Sequence, residues 1–272
     1  MVKRGKVLLL DSGVGGLSVM AALAARMPDL DLMLCADNAF YPYGNKEPER
    51  LKTRLVSLAQ TFVSAYKPDV FILACNTATT VALDSVRSAL DIPVIGTVPA
   101  IKPAAQSSHA GVIGILATAS TVEGGYLKAL IKDFACDKVV FSHQCPELVS
   151  LTEQALQGKM PSSETLFSVI KPLFVAPGME RLDTIVLGCT HFPLLKTELM
   201  MLAPFIRWID SGDAIARRTA VLFKRKNPFP YEGIKGRREI HFTAPREGDF
   251  CSSMLLRLGL DLDTLKGDRV WF

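Results

Sequence analysis

Two cysteines stand out by what flanks them. Cys189 follows the apolar run 184–187 and Gly188, and Thr190 and His191 come directly after it. Cys75 follows the apolar run 70–74, and Asn76 and Thr77 come after it. Asp69 precedes the earlier run as Asp183 precedes the later one, so the two stretches echo each other. A short all-apolar run that stops abruptly reads as a buried parallel strand. The C-terminal ends of such strands are where an open α/β sheet binds ligands. Taken singly, each cysteine can be a small buried hydrophobe. As a matched pair, each followed by polar residues that suit ligands better than cores, they point to a site with a thiol on each side.

Three chemistries use thiols placed this way. A disulfide redox couple needs a CxxC pair or a nearby resolving thiol, and no cysteine here has that spacing. A Cys–His hydrolase or transferase can be built from Cys189 and His191, but residues two apart at a strand end can diverge, and Cys75 is left unexplained. A two-base proton transfer uses both: one thiolate removes a proton from carbon, and the opposite thiol returns one to the other face. It needs accessible thiolates, which helix N-termini and neighbouring cations favour, and both cysteines precede expected helix starts. A non-enzymatic alternative keeps the same fold as a carboxylate-binding module with inert cysteines.

The remaining composition narrows the class. The chain has 272 residues, is 49% hydrophobic and 21% charged, and carries a net charge of +4. That is the profile of a globular protein with ample sequence for one large or two modest domains. Basic residues are scattered except around 217–226 and 235–238, without the basic, aromatic-laced stripe of a nucleic-acid binder. No apolar run reaches the ~18–20 residues of a membrane span, and the start shows no cleavable signal, so a cytoplasmic protein is expected. The other cysteines, Cys35, Cys136, Cys145 and Cys251, show no disulfide framework; Cys35, Cys136 and Cys251 read as core filler and Cys145 as structural. The histidines lack metal-ligand spacing, and no metal site is expected.

In chain order, the apolar run 6–10 ends in Asp11-Ser12-Gly13-Val14-Gly15-Gly16, with a helix expected over 17–27. The glycines do not have GxGxxG spacing, and Asp11 sits where a pyrophosphate would approach. The turn suits a carboxylate ligand held by backbone amides, with Asp11 as a catalytic or orienting group; equally, Asp11 and Ser12 can simply cap the helix. A strand over 32–35 leads to a long loop with Tyr41, Pro42, Tyr43 and Gly44, which can line a pocket. Helices over 48–66 and 76–90 and strands over 70–74 and 93–96 complete a first series. A second follows the proline-rich crossing at 97–103: strands over 111–116, 139–141 and 184–187, and helices over 120–134, 145–156, 163–176 and from about 193. A helix over 210–223, a Pro-rich loop over 227–231, a strand over 240–243 and a last strand near 270 close the chain. Alternating strands and helices make this an α/β protein of two pseudo-symmetric domains, each a mainly parallel sheet flanked by helices, with the active site expected in the cleft between them. The expected boundaries are 1–98 plus 208–272 for the first domain and 99–207 for the second.

The motifs at 11–16, Asp37-Asn38, Pro42-Tyr43-Gly44, 74–78 and 187–194 resemble, in order and spacing, those of glutamate racemases. The resemblance implies a cofactor-independent enzyme that interconverts L- and D-glutamate and supplies D-glutamate for peptidoglycan. By that match Cys75 would act on the D-enantiomer and Cys189 on the L-enantiomer, with Asp11, Glu153 and His191 as auxiliary acid–base groups. Ser12, Pro42, Tyr43, Gly44, Asn76, Thr77, Thr118 and Thr190 would hold the substrate. Glu153 departs from the pattern upstream, where Ser150 stands at a position the family fills with proline, and it can instead be a solvated helix glutamate. A homodimer is implied. Asp11 lies close to Met1, leaving no N-terminal extension of the kind linked to activation by a cell-wall precursor, so no such activation is expected.

Overall fold

The computed structural model describes residues 4–226, 235–245, 250–260 and 265–266. In chain order the elements are β1 (Lys6–Asp11), α1 (Leu17–Arg26), β2 (Asp31–Ala36), α2 (Pro48–Tyr66), β3 (Val70–Leu73), α3 (Asn76–Ala89) and β4 (Val94–Gly96). Then come α4 (Ile101–Ser107), β5 (Val112–Ala117), α5 (Ala119–Glu123), α6 (Gly125–Phe134), β6 (Val139–Gln144), α7 (Pro146–Leu156), α8 (Ser163–Ile170) and α9 (Pro172–Val175). The chain continues with β7 (Thr184–Leu187), α10 (Lys196–Leu202), β8 (Arg207–Ile209), α11 (Gly212–Lys226), β9 (Arg238–Phe242), α12 (Ser252–Arg257) and β10 (Leu265–Lys266). The chain separates into two compact units, residues 98–211 and the described residues on either side of them. The Pro-rich stretch 227–231 and the strand expected near 270 lie outside the described residues.

The first unit holds a six-stranded sheet in the order β10-β9-β2-β1-β3-β4, every pair parallel. The central strands β1 and β3 are almost wholly buried, which is why they read as unbroken apolar runs rather than alternating ones. Side chains alternate across the sheet, so Leu8 and Leu10 of β1 and Phe71 and Leu73 of β3 share one face. There they meet Leu51, Leu55, Leu58 and Phe62 of α2 and Ala78, Ala82 and Val86 of α3. The helix α2 starts where Pro48 needs no amide partner and where the Glu47 carboxylate accepts from the amides of Glu49 and Arg50 at 2.9 and 2.6 Å. It ends at Lys67, whose φ of 51° is left-handed.

The second unit has a four-stranded parallel sheet in the order β6-β5-β7-β8. This is the order β2-β1-β3-β4 repeated with new strands, so the expected pseudo-repeat exists at the level of topology. Ile113, Ile115 and Ala117 of β5 and Val186 of β7 pack with Ile101 and Ala104 of α4 and Leu127 of α6. Because β8 pairs with β7, residues 208–211 belong to this unit and not, as expected, to the first. Among the described residues no helix is long and apolar enough to cross a membrane.

Several expected elements differ. The helix expected over 120–134 is two, because Gly124 is extended at φ −65°, ψ 141°. The helix over 163–176 is also two, its ladder interrupted at Pro172, which has no N–H to give. The crossing at 97–103 carries α4, with Pro103 in its first turn, where an amide has no carbonyl of its own helix to bond. Near Pro193 there is a 3-10 turn over Phe192–Leu195 before α10, so Cys189 does not abut a helix as Cys75 does. Cys136 is exposed and Cys251 half-buried, so neither is core filler; Cys35 is buried.

The paired aspartates have matching structural work. Asp69, ahead of β3, accepts from the Lys6 amide that opens β1, at 2.9 Å. Asp183, ahead of β7, accepts from the Ser108 hydroxyl (2.6 Å), the His109 and Ala110 amides (both 2.7 Å) and the Thr184 hydroxyl (2.9 Å). Burial pushes the Asp183 carboxyl up, but these donors outweigh it and hold it below its ordinary value. A carboxyl lowered on folding stabilises the fold above its unfolded pKa, about 3.9, and that contribution disappears as pH falls through the lower folded value. Asp183→Asn should therefore lower stability at neutral pH and flatten the acid limb of the stability–pH curve below about pH 4. Urea unfolding across pH 2–7 checks this; parallel curves for the two proteins would refute it.

Candidate active site

In the first unit the candidate residues gather at the C-terminal edge of one sheet. Asp11 ends β1, and because Leu10 lies abreast of Leu73, the residues following β1 and β3 leave the sheet side by side. Asp11 is fully buried, Ser12 and Asn76 nearly so. The Asp11 carboxylate accepts from the Gly13 amide at 3.0 Å and the Ser12 hydroxyl at 3.4 Å. It does not cap α1, whose N-cap is Gly16 without a side-chain bond. Gly16 lies close to its neighbours: a Cβ there would sit 2.5 Å from Leu34 Cδ1, which would have to turn away, and 3.1 Å from Asp11 Cβ.

Cys75 is 9% exposed and is the N-cap of α3 by backbone position, its carbonyl accepting from the Thr79 amide at 3.0 Å. That puts its sulfur at the positive end of a helix, where negative charge is stabilised. Asn76 and Thr77 are the first two residues of α3, and Thr77 is half-buried. Tyr43 is 1% exposed, while its neighbours Pro42 and Gly44 are on the surface. Burial pushes the Tyr43 phenol well above its usual range, and the neighbouring Asp37, Cys75 and Asp11 add to the shift. Tyr43, Cys75 and Asp11 thus share one electrostatic neighbourhood.

In the second unit the equivalent edge is built differently. Leu116 of β5 lies abreast of Leu187 of β7, so Thr118 and Cys189 leave the sheet from neighbouring strands. Gly188 allows this, because a Cβ there would sit 2.9 Å from the Leu116 carbonyl oxygen. Cys189 Sγ is 3.8 Å from His191 Nδ1, and His191 Nε2 is 3.1 Å from Glu153 Oε1. Cys189 is half-buried, His191 is 3% exposed and Thr190 6%. The concern that Cys189 and His191 diverge is resolved by the 3-10 turn, which folds His191 back beside the thiol. Glu153 is not a free surface residue: one turn of α7 points it at His191, so thiol, imidazole and carboxylate form a line. Thr118 Oγ1 lies 3.2 Å from Ser120 Oγ and 3.1 Å from Thr121 Oγ1.

A second thiol lies near this line. Cys145 is fully buried, and burial, to which the neighbouring Glu147 and Cys189 add against a bond from the Leu148 amide, takes its pKa to about 12. It stays a neutral thiol at physiological pH. The first unit therefore has Cys75 at the end of β3, with Asp11 leaving the neighbouring strand, and the second has Cys145 at the end of β6 and Cys189 after β7, the latter beside a histidine–glutamate pair.

The sequence model of the Asp/Glu/Hydantoin racemase family matches residues 15–219. A glutamate racemase of Photorhabdus laumondii is 45% identical over 226 residues, covering 82% of this chain and 78% of that protein. One of Brucella ovis is 36% identical over 253 residues, covering 92% and 91%. The crystal structure of Escherichia coli glutamate racemase, in complex with L-glutamate and the activator UDP-MurNAc-Ala, superposes with a TM-score of 0.84 at 37% identity, covering 99% of this chain and all of that one.

Proposed function

The chain belongs to the Asp/Glu/hydantoin racemase family and is a glutamate racemase, an isomerase, and from that premise we propose that Cys75 and Cys189 are its two bases. The proton inventory is simple. A thiolate takes the Cα proton of glutamate and becomes a thiol; the carbanionic intermediate then takes a proton from the other thiol, which becomes a thiolate. One S–H bond forms and another breaks, no electron leaves the substrate, and the chain's own residues supply both acid–base groups. Cys75 takes the proton from D-glutamate and Cys189 from L-glutamate. The observation that carries this reading is the line Cys189–His191–Glu153, which gives the thiol an ionisable neighbour that is itself oriented by a carboxylate.

Asp11 serves the corresponding role for Cys75. Ser12, Pro42, Tyr43, Gly44, Asn76, Thr77, Thr118 and Thr190 form the substrate-holding set; the donors in it that meet the α-carboxylate, outside the Pro42–Gly44 segment, are fixed before the reaction and stabilise the developing charge. The D-glutamate product feeds peptidoglycan synthesis, the enzyme works in the cytoplasm, and the working form is a homodimer. The test is incubation with L-glutamate, D-glutamate or L-aspartate in D2O without added cofactor, followed by circular dichroism and NMR. Loss of optical signal with deuterium at Cα for glutamate alone supports the proposal. Exchange with aspartate but not glutamate, or with neither, overturns it.

A further inference from the structure

The first unit contains a buried carboxylate to which the reaction scheme gives no task. Asp37 is fully buried at the end of β2. Its Oδ2 accepts from the Tyr43 hydroxyl at 2.9 Å and from Arg54 Nε at 2.7 Å. Its Oδ1 accepts from Arg54 Nη2 at 2.5 Å and from the Thr243 hydroxyl at 2.6 Å. A carboxylate has about four lone-pair sites, and all are occupied by protein donors. Asp37 is therefore poorly placed to act as a general base or to receive a ligand, although it lies beside a segment proposed to hold substrate.

The donors come from three directions. Arg54 projects from α2, its guanidinium also 5.0 Å from the Phe40 ring. Thr243 follows β9, 206 positions away in sequence, and its hydroxyl also accepts from the Ala39 amide at 3.1 Å. Next to it Asn38 and Ala244 exchange two bonds, Asn38 Nδ2 to the Ala244 carbonyl and the Ala244 amide to Asn38 Oδ1, both 2.9 Å. Tyr43 gives its phenol proton to Asp37, so its side chain is an anchor of the loop, and toward a ligand its hydroxyl has only oxygen lone pairs to offer.

We propose that Asp37, Arg54 and Thr243 are positioning residues that fix Tyr43, and with it the Pro42–Gly44 segment, for glutamate binding. This rests on the assignment of that segment to the substrate-holding set. A bidentate arginine sets direction as well as charge, so lysine at position 54 keeps the charge and loses the fork. The arrangement binds substrate before and during proton transfer alike, so loosening it raises KM more than it lowers kcat.

The test is a double-mutant cycle in racemisation kinetics. Arg54→Met should raise KM for glutamate by about tenfold with kcat changed by less than about threefold, and Arg54→Lys should recover part of the loss. In a Tyr43→Phe background, where the phenol no longer reaches Asp37, the same Arg54→Met change should raise KM by less than about threefold. Thr243→Val removes one donor while sparing the ion pair, and provides the same reading if Arg54→Met does not fold. NMR of Cζ-labelled tyrosine gives a readout independent of turnover: the Tyr43 signal should move in both single variants. An unchanged KM in a folded variant, equal effects of Arg54→Met with and without the phenol, or an unmoved Tyr43 signal would each overturn the positioning role. Absence of racemisation by the unaltered enzyme would instead sink the functional proposal, and the tyrosine signal would still report on the anchor.

Discussion

Alanine at either Cys75 or Cys189 is expected to abolish racemisation of glutamate, by a factor of about a thousand or more, while the protein stays folded. General acid–base groups typically contribute about 10²–10⁴ in rate, and the proposed scheme requires each thiol in both directions, as base in one and acid in the other. The structural cost is small. Cys75 is the N-cap of α3 through its backbone and makes no side-chain cap bond, and Cys189 is only half-buried. The two variants should differ in a partial reaction. With Cys189→Ala the remaining thiol can still exchange the Cα proton of D-glutamate with solvent, and with Cys75→Ala that of L-glutamate. Deuterium incorporation without loss of optical rotation, opposite in the two variants, is the signature to seek. Full racemisation by either variant ends the two-base scheme.

Alanine at Gly236 is expected to destabilise the protein by about 3 kcal/mol or more, at the upper end of what overpacking costs. A Cβ there would lie 2.0 Å from the Leu30 carbonyl oxygen and 2.3 Å from its carbon, both backbone atoms with no rotamer to yield. The neighbouring bonds bind the same seam: the Gly236 amide to the Pro28 carbonyl at 2.8 Å, the Arg237 amide to Asp31 at 2.8 Å, and the Arg238 guanidinium to the Leu30 and Pro28 carbonyls at 2.5 and 2.9 Å. Separating the segment at Gly236 from residues 28–31 loosens β9 against β2. Gly125→Ala is the control, since a Cβ there meets nothing within 4 Å. Urea unfolding of the two variants decides it, and equal midpoints would show that the seam gives way without cost.

What could be read in the sequence and what could not follow one physical division. Strands β1, β3, β5 and β7 were legible because parallel strands buried on both faces are written as continuous apolar runs, and their ends marked Asp11, Cys75, Thr118 and Cys189 directly. Breaks within helices were not, because Gly124 and Pro172 act on a ladder whose apolar periodicity continues across them. Glu153 illustrates a second limit. Its position on α7 is plain from the pattern, but whether a helix glutamate meets water or an imidazole depends on which element packs beside it, here the turn that carries His191. Arg54 and Thr243 lay further still from view. Nothing local marks an arginine on a charged helix, or a threonine after an edge-side strand, as partners of one aspartate.

The way β9 enters its sheet has a consequence for how the protein is made. Strands β1 to β4 are all translated within the first 96 residues, yet β2 gains its outer neighbour only when residues 238–242 have emerged. Translation proceeds at about 5–20 residues per second, so a growing chain on the ribosome carries an open strand edge, Leu32 to Ala36, for several seconds. During that time residues 98–211, a contiguous stretch, are synthesised in full and can complete their own sheet. The unit begun first is thus the last to close, and an unpaired edge is the part of a nascent chain most inclined to pair with a neighbour. Chaperone demand and aggregation on the polysome should therefore fall on the sheet that bears Cys75.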